Sequence, residues 1–85
     1  MKNIEIYTGD NCYFCESAKR LLNKKNYSYK EIDVSSSESL RDLMIKRANG
    51  KRTIPQIFID GIHIGGWNEL YALDRSSQLD GMIDK

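Results

Sequence analysis

Asp60-Gly61 stands between two short apolar runs, Gln56-Ile57-Phe58-Ile59 and Ile62-His63-Ile64, and dictates that they fold back on each other. The favoured two-residue hairpin turn needs positive φ at both central positions, which aspartate tolerates and glycine adopts freely. The two runs are therefore antiparallel neighbours. Upstream, Ile4 and Ile6 alternate with Asn3, Glu5 and Tyr7 as a first strand, and Thr8-Gly9-Asp10-Asn11 supplies turn residues. Phe14, Ala18, Leu21 and Leu22 recur at helical spacing, with Glu16 in the first turn and Lys24 and Lys25 in the last, an order that suits the helix dipole. This first helix ends near Asn26. The aromatic and β-branched residues of Tyr27–Val34 read as a second strand. Ser35 with Glu38 three residues on has capping-box spacing, and Leu40, Leu43, Met44 and Ala48 form a stripe that stops at Asn49-Gly50, giving a second helix. Leu70, Tyr71 and Leu73 indicate a short third helix, and Leu79, Met82 and Ile83 a terminal one capped by Ser76 or Ser77. The order βαβαββα(α) demands a parallel pair joined by a crossover helix plus the hairpin. The expected architecture is α/β: one domain over residues 1–85, a four-stranded mixed sheet with helices on both faces.

Cys12 and Cys15 are the only cysteines. They fall between the first strand and the first helix, three residues apart. On a helix such residues share a face with Cβ atoms roughly 5–6 Å apart, so a small adjustment reaches the ~3.5–4.5 Å of a disulfide. Cys12, nearest the helix N-terminus, faces unsatisfied N–H groups and the positive end of the dipole, which favour thiolate over thiol. It is assigned as the nucleophile. Cys15, on the face of Ala18 and Leu22, is the more buried and is assigned as the resolving thiol. Inert core filling is the bland alternative. A structural zinc site asks for four ligands, and the chain offers one histidine, His63, in a strand pattern, so no metal site is expected.

Composition sets the surroundings. At 85 residues an apolar core supplies only about 3–5 kcal/mol. A formal net charge of +1 argues against a nucleic-acid partner. No segment approaches the roughly 20 apolar residues of a membrane span, and the N-terminus enters the first strand without an apolar signal core. The expected address is the cytoplasm, where a close cysteine pair is catalytic or metal-binding more often than structural.

Pro55, the sole proline, opens the third strand within Thr53-Ile54-Pro55. With the Cys-x-x-Cys pair before it and Gly65-Gly66 ahead of the third helix, in this order and spacing, most of the chain resembles the glutaredoxins of dithiol type, which have the thioredoxin fold. The resemblance implies a cis Ile54-Pro55 bond beside Cys12. It also implies that Ile54's backbone pairs with the cysteinyl part of glutathione, and that Gly66, Trp67 and Asn68 receive the γ-glutamyl end. A carboxylate at helix N–H groups is independently sensible. Phe14, Thr53 and Pro55 complete the implied glutathione site, and Arg52, with Lys51, adds charge for the other carboxylate. Three positions depart from the family pattern. Tyr13-Phe14 replaces the usual Pro-Tyr in the active-site loop, restoring an N–H near the thiolate. Gly9 stands where lysine is frequent. Asn68 stands where aspartate is common, which implies weaker glutathione binding through a neutral hydrogen bond.

The function implied is a glutathione-dependent thiol–disulfide oxidoreductase, a monomer acting on protein disulfides and glutathionylated proteins with glutathione as reducing co-substrate. Two alternatives come with it. One is a dimer sharing a [2Fe–2S] cluster through Cys12 and glutathione thiols. The other is an electron carrier reduced by thioredoxin reductase.

Overall fold

The computed structural model describes residues 1–84. Its strands are β1 (Ile4–Thr8), β2 (Lys30–Asp33), β3 (Gln56–Ile59) and β4 (Ile62–Gly65); its helices are α1 (Tyr13–Lys24), α2 (Glu38–Arg47), α3 (Trp67–Arg75) and α4 (Leu79–Ile83). The sheet order is β2-β1-β3-β4. β1 runs parallel to β2 and antiparallel to β3, which pairs antiparallel with β4. This is the mixed four-stranded sheet expected from the sequence. The hairpin turn has φ of 50° at Asp60 and 79° at Gly61, the two positive values its sequence foretold.

Strand alternation splits the core in two. Ile4, Ile6, Ile57 and Ile59 point to one face, where Ala18 and Leu22 of α1, Leu70 of α3, and Leu79 and Ile83 of α4 cover them. Tyr7 and Phe58 point to the other, against Met44 and Ala48 of α2 and Val34. The second face also carries a charge. Arg47 lies 4.2 Å above the Phe58 ring centroid, donates to Tyr7 Oη at 2.7 Å and bonds Glu5 Oε1 at 2.8 Å. This arrangement covers apolar surface with an arginine stem and pairs its head group at the rim.

The C-terminal ends of α1 and α2 follow the sequence signals closely. Asn26 and Asn49 take left-handed φ of 60° and 58° just past α1 and α2, and the next residues, Tyr27 and Gly50, donate back to the Leu22 and Ile45 carbonyls at 3.0 and 2.9 Å.

Four expectations need correction. The second strand is Lys30–Asp33 rather than Tyr27–Val34, because the Tyr27 N–H closes α1 and its side chain packs on the core. α2 is capped by Ser37, whose Oγ accepts from Leu40 N at 3.2 Å, and not by Ser35. Ser35 is committed elsewhere: its Oγ accepts from Asp10 N at 2.6 Å and its N–H donates to Asp33 Oδ1 at 2.8 Å. Neither Ser76 nor Ser77 caps α4. Ser76 is the C-cap of α3, and Ser77, with φ 61°, ends that helix as the asparagines end the others. Finally, Phe14 does not join the α1 core stripe; it is half exposed, and Cys15 takes the buried place beside it. α4 is held instead by a latch in which Tyr27 Oη donates to Asp80, and Lys25 pairs with Asp74 at 2.8 Å and Asp80 at 3.2 Å. The bond to Asp80 pushes the Tyr27 hydroxyl up to about 12.

The Arg47 hydrogen bond holds the Glu5 carboxyl below its ordinary value of 4.5. A depressed carboxylate stabilises the fold above its unfolded pKa, and that contribution disappears as pH falls through the folded value. Glu5→Gln is expected to cost about 1 kcal/mol at pH 7, and thermal melts should show the gap to wild type closing below about pH 4.5.

Candidate active site

Cys12 is the N-cap of α1. Its backbone is extended, its carbonyl accepts from Glu16 N at 3.2 Å, and its sulfur takes the place of the usual capping oxygen by accepting the Cys15 N–H at 3.1 Å. A helix N-terminus leaves several N–H groups without partners, so the sulfur here sits where negative charge is favoured. Cys15 is fully buried among the α1 contacts, whereas Cys12 is half-buried. The two are joined as a disulfide with Cα atoms 5.2 Å apart. The inequality expected from their positions is thus present: one sulfur is reachable from solvent and the other is not.

The sheet brings a second segment to this sulfur. Antiparallel pairing of β1 with β3 sets Tyr7 opposite Gln56, so the turn leaving β1 lies beside the residues entering β3. Ile54-Pro55 is cis, and the Ile54 carbonyl oxygen lies 3.8 Å from Cys12 Sγ. Close packing locks the two turns. A Cβ on Gly9 would stand 2.7 Å from Ile54 Cδ1 and 3.1 Å from Ser35 Oγ, so the space a side chain would need at Gly9 is filled by Ile54.

From Ile54 a groove of about 260 Å³ runs to the start of α3, lined by Phe14, Thr53, Ile54, Pro55, Gly66, Trp67 and Asn68, with Lys51, Gln56 and Glu69. Seven of the eight residues inferred from resemblance therefore share one surface. Arg52 is exposed and is not on that surface; its neighbour Lys51 supplies the wall's cation. Trp67 stacks on Tyr71 with ring centroids 5.2 Å apart. Gln56 and Glu69 were missed in the sequence, although each left a trace. Gln56 is the polar residue heading an otherwise apolar strand, and Glu69 has capping spacing from Gly66. Glu69 Oε1 accepts from Gly66 N at 2.7 Å, so the protein's own carboxylate occupies the N–H of the residue that caps α3.

On its other side Cys12 borders a hollow of about 530 Å³ with Asp10, Tyr13, Glu16, Lys19, Glu31 and Asp33. Tyr13 is 73% exposed and meets Phe14 edge-on at 5.5 Å, so the residues enclosed by the cysteines form an apolar rim. Lys19 bridges Glu16 at 2.8 Å and Glu31 at 3.0 Å, and these bonds hold its ammonium charged well above the ordinary lysine range. The Thr8 hydroxyl, then Lys19, lowers Glu31; the Ser35 N–H lowers Asp33. A larger hollow, about 710 Å³, lies at the far end of the sheet around Lys2, Asn3 and Asp60, and neither cysteine lines it. Among the described residues no group of three or more His, Cys, Asp or Glu side chains is arranged to hold a metal ion.

A helix-capping cysteine that forms a disulfide with a buried partner one turn on, beside a cis-proline turn of a mixed sheet, defines a thiol–disulfide oxidoreductase of the thioredoxin fold. Comparison with known proteins narrows the class. The glutaredoxin family model matches residues 4–64. Glutaredoxin 3 of Escherichia coli strain K12 is 47% identical over 83 residues, spanning 98% of this chain and 99% of that protein. Glutaredoxin 1 of Rickettsia typhi is 42% identical over 85 residues, 99% of this chain and 82% of the relative. The solution structure of glutaredoxin from Brucella melitensis, 42% identical, superposes with a TM-score of 0.86 over 98% of this chain and 89% of its own. The chain belongs to the glutaredoxin family.

Gly9→Ala is expected to lower stability by about 1 kcal/mol, the lower end of the overpacking range, because the obstructing atom is the tip of a side chain. Shortening that side chain should restore it: chemical denaturation of Gly9→Ala/Ile54→Val is expected to recover most of the loss, and simple addition of the two single effects would show that the residues are not size-matched.

Proposed function

We propose that this oxidoreductase draws its electrons from glutathione and acts on protein–glutathione mixed disulfides and on protein disulfides. The observation that carries the reading is the position of Ile54, which lines the groove while its carbonyl lies 3.8 Å from Cys12 Sγ. A tripeptide bound along that groove has its sulfur at Cys12. Glutathione also fits the groove's chemistry. Its cysteinyl backbone pairs with Ile54; its γ-glutamyl carboxylate meets the N–H groups of Trp67 and Asn68, since Glu69 holds that of Gly66; and Lys51 faces the second carboxylate. Asn68 gives the ligand a neutral hydrogen bond, about half as strong as a charged one. A buckwheat glutaredoxin solved as a glutathione complex has the same fold, with a TM-score of 0.88 at 23% identity.

In the proposed cycle the Cys12 thiolate attacks the glutathionyl sulfur of a mixed disulfide, and the client's sulfur leaves as a thiolate that takes up a proton. Cys12 now carries glutathione. A second glutathione thiolate attacks that glutathionyl sulfur, releasing oxidised glutathione and restoring the Cys12 thiolate. In the other branch the Cys15 thiolate attacks Cys12 Sγ and expels glutathione, forming the Cys12–Cys15 disulfide; two glutathione molecules then reduce it. The same disulfide arises when Cys12 attacks a client disulfide and Cys15 resolves the product. Throughout, the Cys15 N–H and the α1 dipole stabilise the charge on Cys12, both when it attacks and when it leaves. The cytoplasm, whose glutathione pool supplies the reductant, is the compartment this cycle requires.

Cys12→Ser is expected to abolish turnover in a glutathione-coupled assay. Cys15→Ser should keep reduction of a glutathionylated peptide and lose reduction of a client protein's disulfide. Equal losses in the two variants would overturn the assignment of roles.

A further inference from the structure

Gln56 is the one polar side chain of β3, and only 1% of its surface is exposed. Such a group must find partners, and here it finds three. Nε2 donates to the Thr53 carbonyl oxygen at 3.0 Å and to Thr53 Oγ1 at 3.2 Å, and Oε1 lies 2.7 Å from His63 Nε2. The reversed amide would set two acceptors against each other at Thr53, so the orientation is fixed. It follows that Oε1 accepts and His63 Nε2 carries the proton. The other ring nitrogen then accepts from Asn49 Nδ2, 3.4 Å away, and the ring rests on Phe58 with centroids 5.1 Å apart. From α2's end through β4 to β3, every member of this chain has its donor matched to an acceptor.

The chain ends on the peptide that matters most to the site. In a trans peptide the C=O and N–H point in opposite directions. With the Thr53 carbonyl turned inward onto Gln56, the Ile54 N–H turns away from it, and among the described residues that N–H has no hydrogen-bond partner. Lys51, Arg52 and Thr53 are exposed, so between the Lys51 N–H, bonded to the Ala48 carbonyl, and the Ile54 side chain, packed over Gly9, the Gln56 bonds are what fix the approach to Pro55. We propose that Gln56 and, through it, His63 are positioning residues for the thiol exchange: they hold the Thr53–Ile54 peptide so that Ile54 presents its backbone to the cysteinyl residue joined to Cys12. Neither side chain touches a reacting atom. Their effect is to order the turn before the substrate arrives, so that binding does not have to supply that ordering. This inference rests on the reading of the groove as a glutathione site.

The test uses the full chain and a glutathionylated peptide, with a cysteinylated peptide of the same sequence as control. His63→Phe keeps a ring against Phe58 and removes the donor to Gln56. Its KM for the glutathionylated peptide is expected to rise about fivefold, the effect of one neutral hydrogen bond, with kcat within about twofold of wild type. The pH profile of Cys12 alkylation should superimpose on that of wild type. His63→Gln, which can still donate to Gln56, should recover most of the KM. A His63→Phe protein that keeps both wild-type KM and the preference for glutathionyl substrate overturns this inference alone. So does a loss carried by kcat together with a shifted alkylation profile, which marks damage at Cys12. A wild-type protein with no preference between the two peptides overturns the glutathione reading, and this inference with it.

Discussion

The antiparallel pairing of β1 with β3 is the constraint on which the site depends. It places the C-terminal end of β1 against the N-terminal end of β3, so that two turns separated by some forty residues of chain converge. One turn leads into α1 and delivers Cys12 as its cap. The other carries Thr53-Ile54-Pro55 and delivers a backbone carbonyl to within 3.8 Å of the sulfur. β1 is flanked by strands on both sides, and side chains of both its faces enter the core. A one-residue slip in its pairing would exchange Ile6 with Tyr7 between the two faces, so burial fixes the register, and the register fixes the site.

Within that frame the two cysteines differ because a helix has a polarity and an inside. The cap position gives Cys12 an N–H partner, the favourable end of the dipole and access to solvent. One turn further, Cys15 falls on the face that packs on the sheet. The substitution of Tyr13-Phe14 for a proline-containing pair leaves this division intact, since the helix begins at Tyr13 and both aromatic rings turn outward. Surfaces of different character therefore meet at one sulfur. The side toward α3 is a groove with backbone donors and a single lysine; the side toward β2 is a hollow rich in carboxylates; and the two aromatic rings form the rim.

Much of this was legible in the residues. Asp60-Gly61 specified its hairpin because few turn conformations suit that pair, and Asn26 and Asn49 marked helix ends because the left-handed conformation there is cheap for asparagine. The misreadings have two causes. Ser35 and Phe14 each carried a plausible local signal that the tertiary structure overrode, Ser35 by its bond to Asp10 and Phe14 by its place on the groove, whereas Ser77 was taken by a competing local role, the closing of α3. Polar residues with several possible local partners are where sequence reading is weakest, since local and tertiary hydrogen bonds compete for the same atoms.

The sequence by itself determined the order of elements, the hairpin and the unequal positions of Cys12 and Cys15, because periodicity, turn chemistry and helix polarity act over a few residues. Only the tertiary structure decided which groups line the groove that leads from Ile54 to α3. It seated Lys51 rather than Arg52 in the wall, set Glu69 on the N–H of Gly66 ahead of α3, filled the space over Gly9 with Ile54, and buried Gln56 between Thr53 and His63. Those outcomes depend on close packing and on hydrogen bonds across the sheet, in which an ångström or a rotamer selects the partner, and no spacing along the chain encodes that choice.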